Sequence, residues 1–358
     1  MNRREFIKQV GKLIFFASLS NCVLSCGGGG NKSVPADKTP VYIGRASSYD
    51  EAEYEQLRNI VGEMVSFLYS QKPFFSYGDT VSIKPNLVSS LECLGLPAGQ
   101  TYVAHSSVAK ALGEVIRDLG VGRIQFVEGS TIPCDTNEVF ASIGYDKVAA
   151  YLDAELLDLN VAAPYGSFSE IEIEGGLALA SVKVNHNLIE TDCLISLGKL
   201  KCHSSAGVSL SLKNLIGLLP IDVYGSNGTG SRIETVHAPE VKTQIPFTVV
   251  DLARLFPADL SFIDGITSVE RGEGPWVKDI AAVSPGLLIA GRNSTAVDSV
   301  CTRLMGFNSE TDWPQSPFST CFNHIKLAAQ YGLGPYLLDD IEVYGESIGS
   351  VMYPFAPP

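Results

Sequence analysis

Apolar and polar positions along this chain follow two periods in turn. Val41–Gly44 is a short apolar run and predicts a strand. Tyr54, Leu57, Ile60, Val61, Met64, Val65 and Leu68 then recur at helical spacing and mark one face of a helix. Gly78-Asp79 turns into a strand over Thr80–Ile83 that runs out at Lys84-Pro85-Asn86. Ser106 or Ser107 can cap the next helix, carried by Val108, Leu112, Val115, Ile116 and Leu119 and closed by Gly120. A strand over Arg123–Val127 ends at Glu128-Gly129-Ser130. A helix over about 136–151 and a strand over Ala154–Leu159 follow. Strands alternating with helices are the rhythm of a parallel sheet with crossover helices, so the fold class is α/β. In such sheets chemistry gathers past the carboxyl ends of the strands, which puts Lys84, Asn86 and Glu128 on one rim.

The second half reads as mixed. Glu170–Ile173 and Ala178–Val184 predict a hairpin around Gly175-Gly176. Cys193–Leu197 is an apolar strand that leads into Gly198-Lys199-Leu200-Lys201-Cys202-His203. Leu210–Leu219 is helical or buried, and Gly225–Ser231 is a glycine-rich loop read as a solvated insertion rather than a lid. Helices are expected over 246–256, Ser294–Met305 and 319–330. Strands are expected over Leu260–Ile263, Gly286–Ala290 and Asp340–Tyr344. The sheet is thus mainly parallel in the N-terminal half and mixed α/β in the C-terminal half. One domain spans 41–348, with lobes of about 41–160 and 161–348, and 349–358 is a tail.

The N-terminus follows other rules. Arg3-Arg4, a spacer, Phe6-Ile7 and Lys8 resemble a twin-arginine export signal. The apolar run Leu13–Leu24 is interrupted by Ser18, Ser20 and Asn21, and is too short and polar to span about 30 Å of hydrocarbon. Val23-Leu24-Ser25-Cys26 resembles a lipobox whose cysteine takes a lipid, and 27–40 is a flexible tether. The expected location is outside the cytoplasm, on the periplasmic or outer side of a membrane. The export machinery and the lipid at Cys26 are its first partners.

Charge narrows the partners further. From Cys26 onward 22 basic residues face 38 acidic ones, a net charge of −16. So acidic a body argues against nucleic acid and against broad docking on anionic lipid. Cys93, Cys134, Cys193, Cys202, Cys301 and Cys321 form no C-x-x-C pair, so no iron–sulphur cassette or zinc ribbon is present. They can pair as disulfides in an oxidising compartment or lie as scattered buried thiols.

The densest polar signal is Lys199, Lys201 and His203, followed by Lys213 and Asn214. In an extended chain alternate residues share a side, so the first three offer two cations and an imidazole to a carboxylate or phosphate. Lys201, His203 and Lys213 are the catalytic candidates. Lys84, Asn86, Glu128, Lys199, Asn214, Asp264, Glu270, Glu273 and Asp298 are the ligand-binding ones. Asp264-Gly265 ends a strand, and Glu270-Arg271-Gly272-Glu273-Gly274-Pro275 sets glycines around acids, where backbone can approach a ligand. Those acids can bind a metal, act as a base or pair with the lysines, whereas Asp298 can simply favour a helix dipole. His203 with His237, completed by carboxylates, can hold a divalent metal. His105, His186 and His324 read as structural. No G-x-S-x-G, phosphate-loop or dinucleotide fingerprint occurs.

Several blocks in order resemble the domain-of-unknown-function 362 family. They are Gly78–Val88, Lys199–His203, Leu212–Gly217, Ile263–Gly265, Glu270–Pro275, Ala296–Ser299 and Ala328–Gly334. The resemblance covers about residues 78–345 and implies a shared α/β fold and a common site, but no particular reaction. Some members carry an added ferredoxin segment. This chain lacks those cysteines, so electron transfer through such a cluster has no ligands here. Cys202 stands where the family that the chain resembles more often shows threonine or another residue. Three readings follow: a tethered protein binding a small anionic ligand or a metal, with or without catalysis; a redox protein using metal or thiols; and a non-catalytic surface binding lipoprotein.

Overall fold

The computed structural model describes residues 38–89, 100–131, 134–225 and 240–358, together with Ile7, Arg232 and Val236. Cys26 with its signal and most of the tether, Cys93, His237 and residues 226–231 lie outside the described residues.

Fourteen strands are described: β1 Thr39–Arg45, β2 Thr80–Pro85, β3 Arg123–Glu128, β4 Glu155–Asp158, β5 Ser169–Glu172, β6 Ser181–Val184, β7 Cys193–Lys199, β8 Cys202–His203, β9 Gly207–Val208, β10 Leu260–Gly265, β11 Ser268–Glu270, β12 Ala281–Val283, β13 Leu287–Gly291 and β14 Ile341–Gly345. Eight of them build one sheet in the order β14-β1-β13-β10-β7-β2-β3-β4. Every pairing in it is parallel except those of β13, which runs against both β1 and β10. The fold is α/β with a mostly parallel sheet, as the alternation predicts.

Both faces of that sheet are covered, which is why its strands are apolar almost throughout. Alternate residues feed two cores. Val81, Ile83, Ile195, Leu197 and Phe262 face the helices Tyr54–Gln71, Ser106–Asp118, Thr136–Ile143 and Tyr145–Leu152. Leu194 and Ile263 face the helices Val241–Leu255, Ser294–Leu304 and His324–Gln330. Helices of the first half therefore lie on one side and those of the second half on the other.

Several boundaries differ from expectation, each for a local reason. The helix expected over 136–151 is two helices broken at Gly144, whose φ of 85° only glycine adopts freely. The helix expected from 319 begins at His324, because the Asn323 side chain caps it by accepting the amides of Ile325 and Lys326. Residues 210–219 are a helix, Leu210–Asn214, continued by a 3-10 turn over Leu215–Leu218. The last residues pack on the body: Phe355 is buried and Glu270 accepts the Ala356 amide at 2.7 Å. Among the described residues, no helix is long and apolar enough to cross a membrane.

From β2 the chain moves outward through β3 to β4. It then returns to set β7 on the other side of β2 and continues to β10. The carboxyl ends of β2 and β7 are thus where strand order reverses, and connections leave in opposite directions. Crevices at such points are the usual ligand sites of open parallel sheets.

Candidate functional site

Four strand ends deliver charge to that edge: Lys84 from β2, Glu128 from β3, Lys199 from β7 and Asp264 from β10. Lys84 Nζ lies 2.8 Å from Glu128 Oε1, with both side chains 2% exposed. It also donates to the Pro85 carbonyl at 2.9 Å and to Asn214 Oδ1 at 3.0 Å. Glu128 accepts the amides of Leu87 at 3.0 Å and Gly129 at 2.9 Å. Asn214 donates to the Lys84 carbonyl and to Ser196, bridging the crevice between β2 and β7. Asn86 donates to Asn214 at 3.2 Å, but its own Oδ1 is buried without a partner. Gly217 lets the chain approach: a Cβ there would stand 2.5 Å from Glu128 Oε1 and 2.7 Å from Lys84 Nζ.

Three more cations adjoin this pair. Arg232 donates to the carbonyls of Leu219 and Gly129 and to Asn160 Oδ1. Lys201 donates to the carbonyls of Tyr102 at 2.7 Å and Glu273 at 3.1 Å. Lys213 projects from the helix Leu210–Asn214, whose first amides, Ser211 and Leu212, donate to the two oxygens of buried Asp298 at 2.9 Å each. Burial pulls Lys201 down to about 7, with Glu273 opposing and Lys213 and Lys199 adding to the fall. Burial likewise pulls Lys213 down to about 8, with Lys84 and Arg232 adding and Glu273 opposing. Burial pulls Arg232 down to about 10 against Glu128 and Asp158. Asp298 is pushed up to about 8 by burial, against the pull of its two amide donors.

The remaining candidates are committed elsewhere. Lys199 and Asp264 form a closed pair at 2.8 Å with neither side chain exposed. Asp264 also accepts Tyr49 OH at 2.6 Å and the His105 amide at 2.9 Å, and Tyr49 stacks on His105. The Lys199–Lys201–His203 row therefore divides. β7 stops at Lys199, whose partner is Asp264, whereas Lys201 and His203 both meet Glu273, one at its carbonyl and the other at its carboxylate. His203 Nδ1 accepts the Ser205 amide at 3.1 Å and lies 3.7 Å from Glu273 Oε2. Glu273 in turn accepts the Ser204 amide and Trp276 Nε1, both at 2.8 Å. Glu270 holds the C-terminal segment rather than a lysine. Among the described residues, no group of three or more His, Cys, Asp or Glu could hold a metal ion. The described cysteines Cys134, Cys193, Cys202, Cys301 and Cys321 are all buried, Cys202, Cys301 and Cys321 are free, and burial pushes the thiols of Cys202 and Cys321 up to about 12.

The family model for a domain of unknown function, DUF362, matches residues 81–303. The chain belongs to the DUF362 family. The DUF362 match takes in Lys84, Asn86, Glu128, Lys201, Lys213, Arg232 and Glu273, and leaves out Cys321 and His324. A thylakoid-associated protein of Synechocystis sp. is 26% identical over 271 residues, covering 75% of this chain and 74% of that one. A crystal structure of a Thermotoga maritima protein aligns with a TM-score of 0.41 at 13% identity, over 73% of this chain and 60% of that chain. This chain thus spans less than two thirds of that protein, and the likeness carries no argument.

Sequence reasoning missed Arg232, Asn160 and Tyr49, and read His324 as structural. Arg232 lies just beyond the glycine-rich loop, where a cation reads as solvated. His324 sits fully buried with both ring nitrogens unpartnered, and burial beside Lys213 pulls it down to about 3. Only its place one residue after a capping asparagine could have hinted at an interior position.

Proposed function

We propose that this DUF362 protein binds a small anionic ligand, a carboxylate or a phosphate, at the carboxyl edge between β2 and β7. The observation that carries the reading is a local excess of buried positive charge in an acidic chain. Lys84, Lys201, Lys213 and Arg232 all perturb one another's neighbourhood, while Glu128 and Glu273 are the carboxylates among them and Asp158 stands at the margin. Among the described residues, only Lys84 of the four has a direct carboxylate partner. A buried ammonium without a counter-charge costs several kcal/mol, and an anion offsets that cost. The unpartnered Asn86 Oδ1 and Ser130 Oγ lie at the same strand ends and add polar atoms for a ligand to meet.

Calorimetric titration with phosphate and with succinate tests the reading. Lys213→Gln and Lys201→Gln should each weaken binding at least about tenfold, because truncating one member of a buried charge pair typically costs 2–5 kcal/mol. Folding is checked by circular dichroism. Affinity should fall as pH rises through about 7 and 8, where Lys201 and Lys213 lose their charge. Equal affinity in wild type and both folded variants would sink it.

We also infer that the protein is exported by the twin-arginine route and tethered through a lipid on Cys26. Arg3-Arg4, the short apolar run and Val23–Cys26 support this. The Synechocystis relative is named for association with a membrane system, which is in keeping.

A further inference from the structure

Lys213 differs from its neighbours in the cluster. Lys84, Lys201 and Arg232 spend donors on protein acceptors. The Lys213 ammonium has no hydrogen bond or ion pair among the described residues, and only the charges around it act on it. It also keeps partial exposure, whereas Lys84 and Lys201 are 1% exposed. Asp298 fixes the backbone that carries it, and Asn214, the next residue, is pinned to Lys84 and Ser196. A small molecule entering this edge meets a positioned, unoccupied amine with cations beside it.

The geometry points to Lys213 as the nucleophilic amine of an imine-forming site for a small oxo acid, an aldehyde or ketone carrying a carboxylate or phosphate. The inference rests on the anion-binding reading, because the acid group of the substrate is what Arg232 and Lys201 hold while its carbonyl carbon meets Lys213 Nζ. The nitrogen attacks that carbon, a C–N bond forms, the C=O π bond breaks, and the proton shed by nitrogen ends on the oxygen. The carbinolamine takes a proton from solvent, its C–O bond breaks and water leaves, giving an iminium. One carbonyl, one amine and one proton enter; one iminium and one water come out. An amine desolvated beside other cations is the general way to activate a lysine for this step. The groups that face Lys213 are Glu273, Cys321, Lys84, Arg232, Lys201 and His324. Their balance with burial brings its amine to about 8, so about a tenth of molecules carry the free base at neutral pH.

The test is reductive trapping. Purified protein is incubated with pyruvate, glyoxylate or glyceraldehyde 3-phosphate and cyanoborohydride, then mapped by mass spectrometry. The expected result is one adduct per chain on Lys213, forming at least about tenfold faster than on exposed Lys72 or Lys147. Phosphate should suppress it at Lys213 alone, and propanal, which lacks the acid group, should label that site more slowly than the oxo acids do and without suppression by phosphate. At saturating oxo acid, trapping should rise with pH through about 8 while phosphate affinity falls, since one needs the amine and the other the ammonium. Lys213→Arg should give no adduct at that position. Phosphate binding with Lys213 labelled no faster than Lys72 overturns the imine inference alone. Absence of phosphate and succinate binding overturns both it and the anion reading.

Discussion

Replacing Lys84 with methionine removes the cation of the Lys84–Glu128 pair while keeping most of the side chain's volume. In the wild type the two charges lie 2.8 Å apart and 2% exposed, so neither relies on water. Without Lys84, Glu128 still accepts the amides of Leu87 and Gly129 and still feels Arg232, but it loses its direct counter-ion. Stranding one member of a buried pair costs about 3–5 kcal/mol. The two amides and Arg232 temper that, which places Lys84→Met near 3 kcal/mol, at the low end. For a chain of this size about 2 °C of Tm accompanies each kcal/mol, so Tm should drop by about 6 °C. Adding Glu128→Gln removes the stranded charge but sets an amide NH₂ against one of the two backbone amides Glu128 accepts, so it should return less than half of the loss. The assay is thermal unfolding of wild type, both single variants and the double variant at neutral pH. A Lys84→Met protein melting within a degree of wild type would refute the reasoning. So would a double variant no more stable than the worse single one.

Asp298→Asn should destabilise by about 1–3 kcal/mol, because an amide NH₂ replaces one of the oxygens that accept Ser211 and Leu212. It should also weaken phosphate binding by loosening the turn that carries Lys213. Unchanged unfolding and unchanged titration would show that the cap positions nothing. Cys26→Ser should stop incorporation of labelled palmitate and move the protein from the membrane pellet to the soluble fraction. Wild-type protein recovered wholly in the soluble fraction would end the tether reading.

The rim of the sheet was legible because each strand announces its end chemically. Apolar runs stop at Lys84, Glu128 and Asp264, and all three sit at carboxyl ends of parallel strands. Strand order was not legible. β1 belongs beside β13 and β14, and β7 beside β2, through pairings that only the whole chain can specify. The lysine row failed as a row for a local reason. Period-two reasoning needs extension through His203, but β7 ends at Lys199, Lys201 lies between strands, and Cys202–His203 belongs to a separate short hairpin with β9. Lys199 is then captured by Asp264, a residue 65 positions away. Glu270 was read as a site acid because its glycine-flanked setting looks like a ligand loop. Its partner is the Ala356 amide, which no local pattern links to it.

The contrast between Lys199 and Lys213 separates architecture from function at one edge of one sheet. Lys199 is sealed, with Asp264 and Tyr49 as direct partners, and Asp264 is itself saturated by Tyr49, His105 and Ile266. Nothing in that knot asks for a ligand, and it joins β7 to β10 beneath the helix layer. Lys213 stands at the end of a turn that Asp298 and Asn214 hold firmly, yet its own amine is left without a partner among the described residues. A protein that fixes a backbone so closely around an unsatisfied cation has placed the cost of that cation where a ligand can remove it. The unpartnered Asn86 Oδ1, Ser130 Oγ and His324 ring follow the same division, since buried polar atoms otherwise find partners. Asn86 and Ser130 lie just past the ends of β2 and β3, and the charge of Lys213 acts on His324, so these three gather at the strand-order reversal, whereas the unpartnered Tyr54, Thr248 and Arg292 atoms lie on other elements.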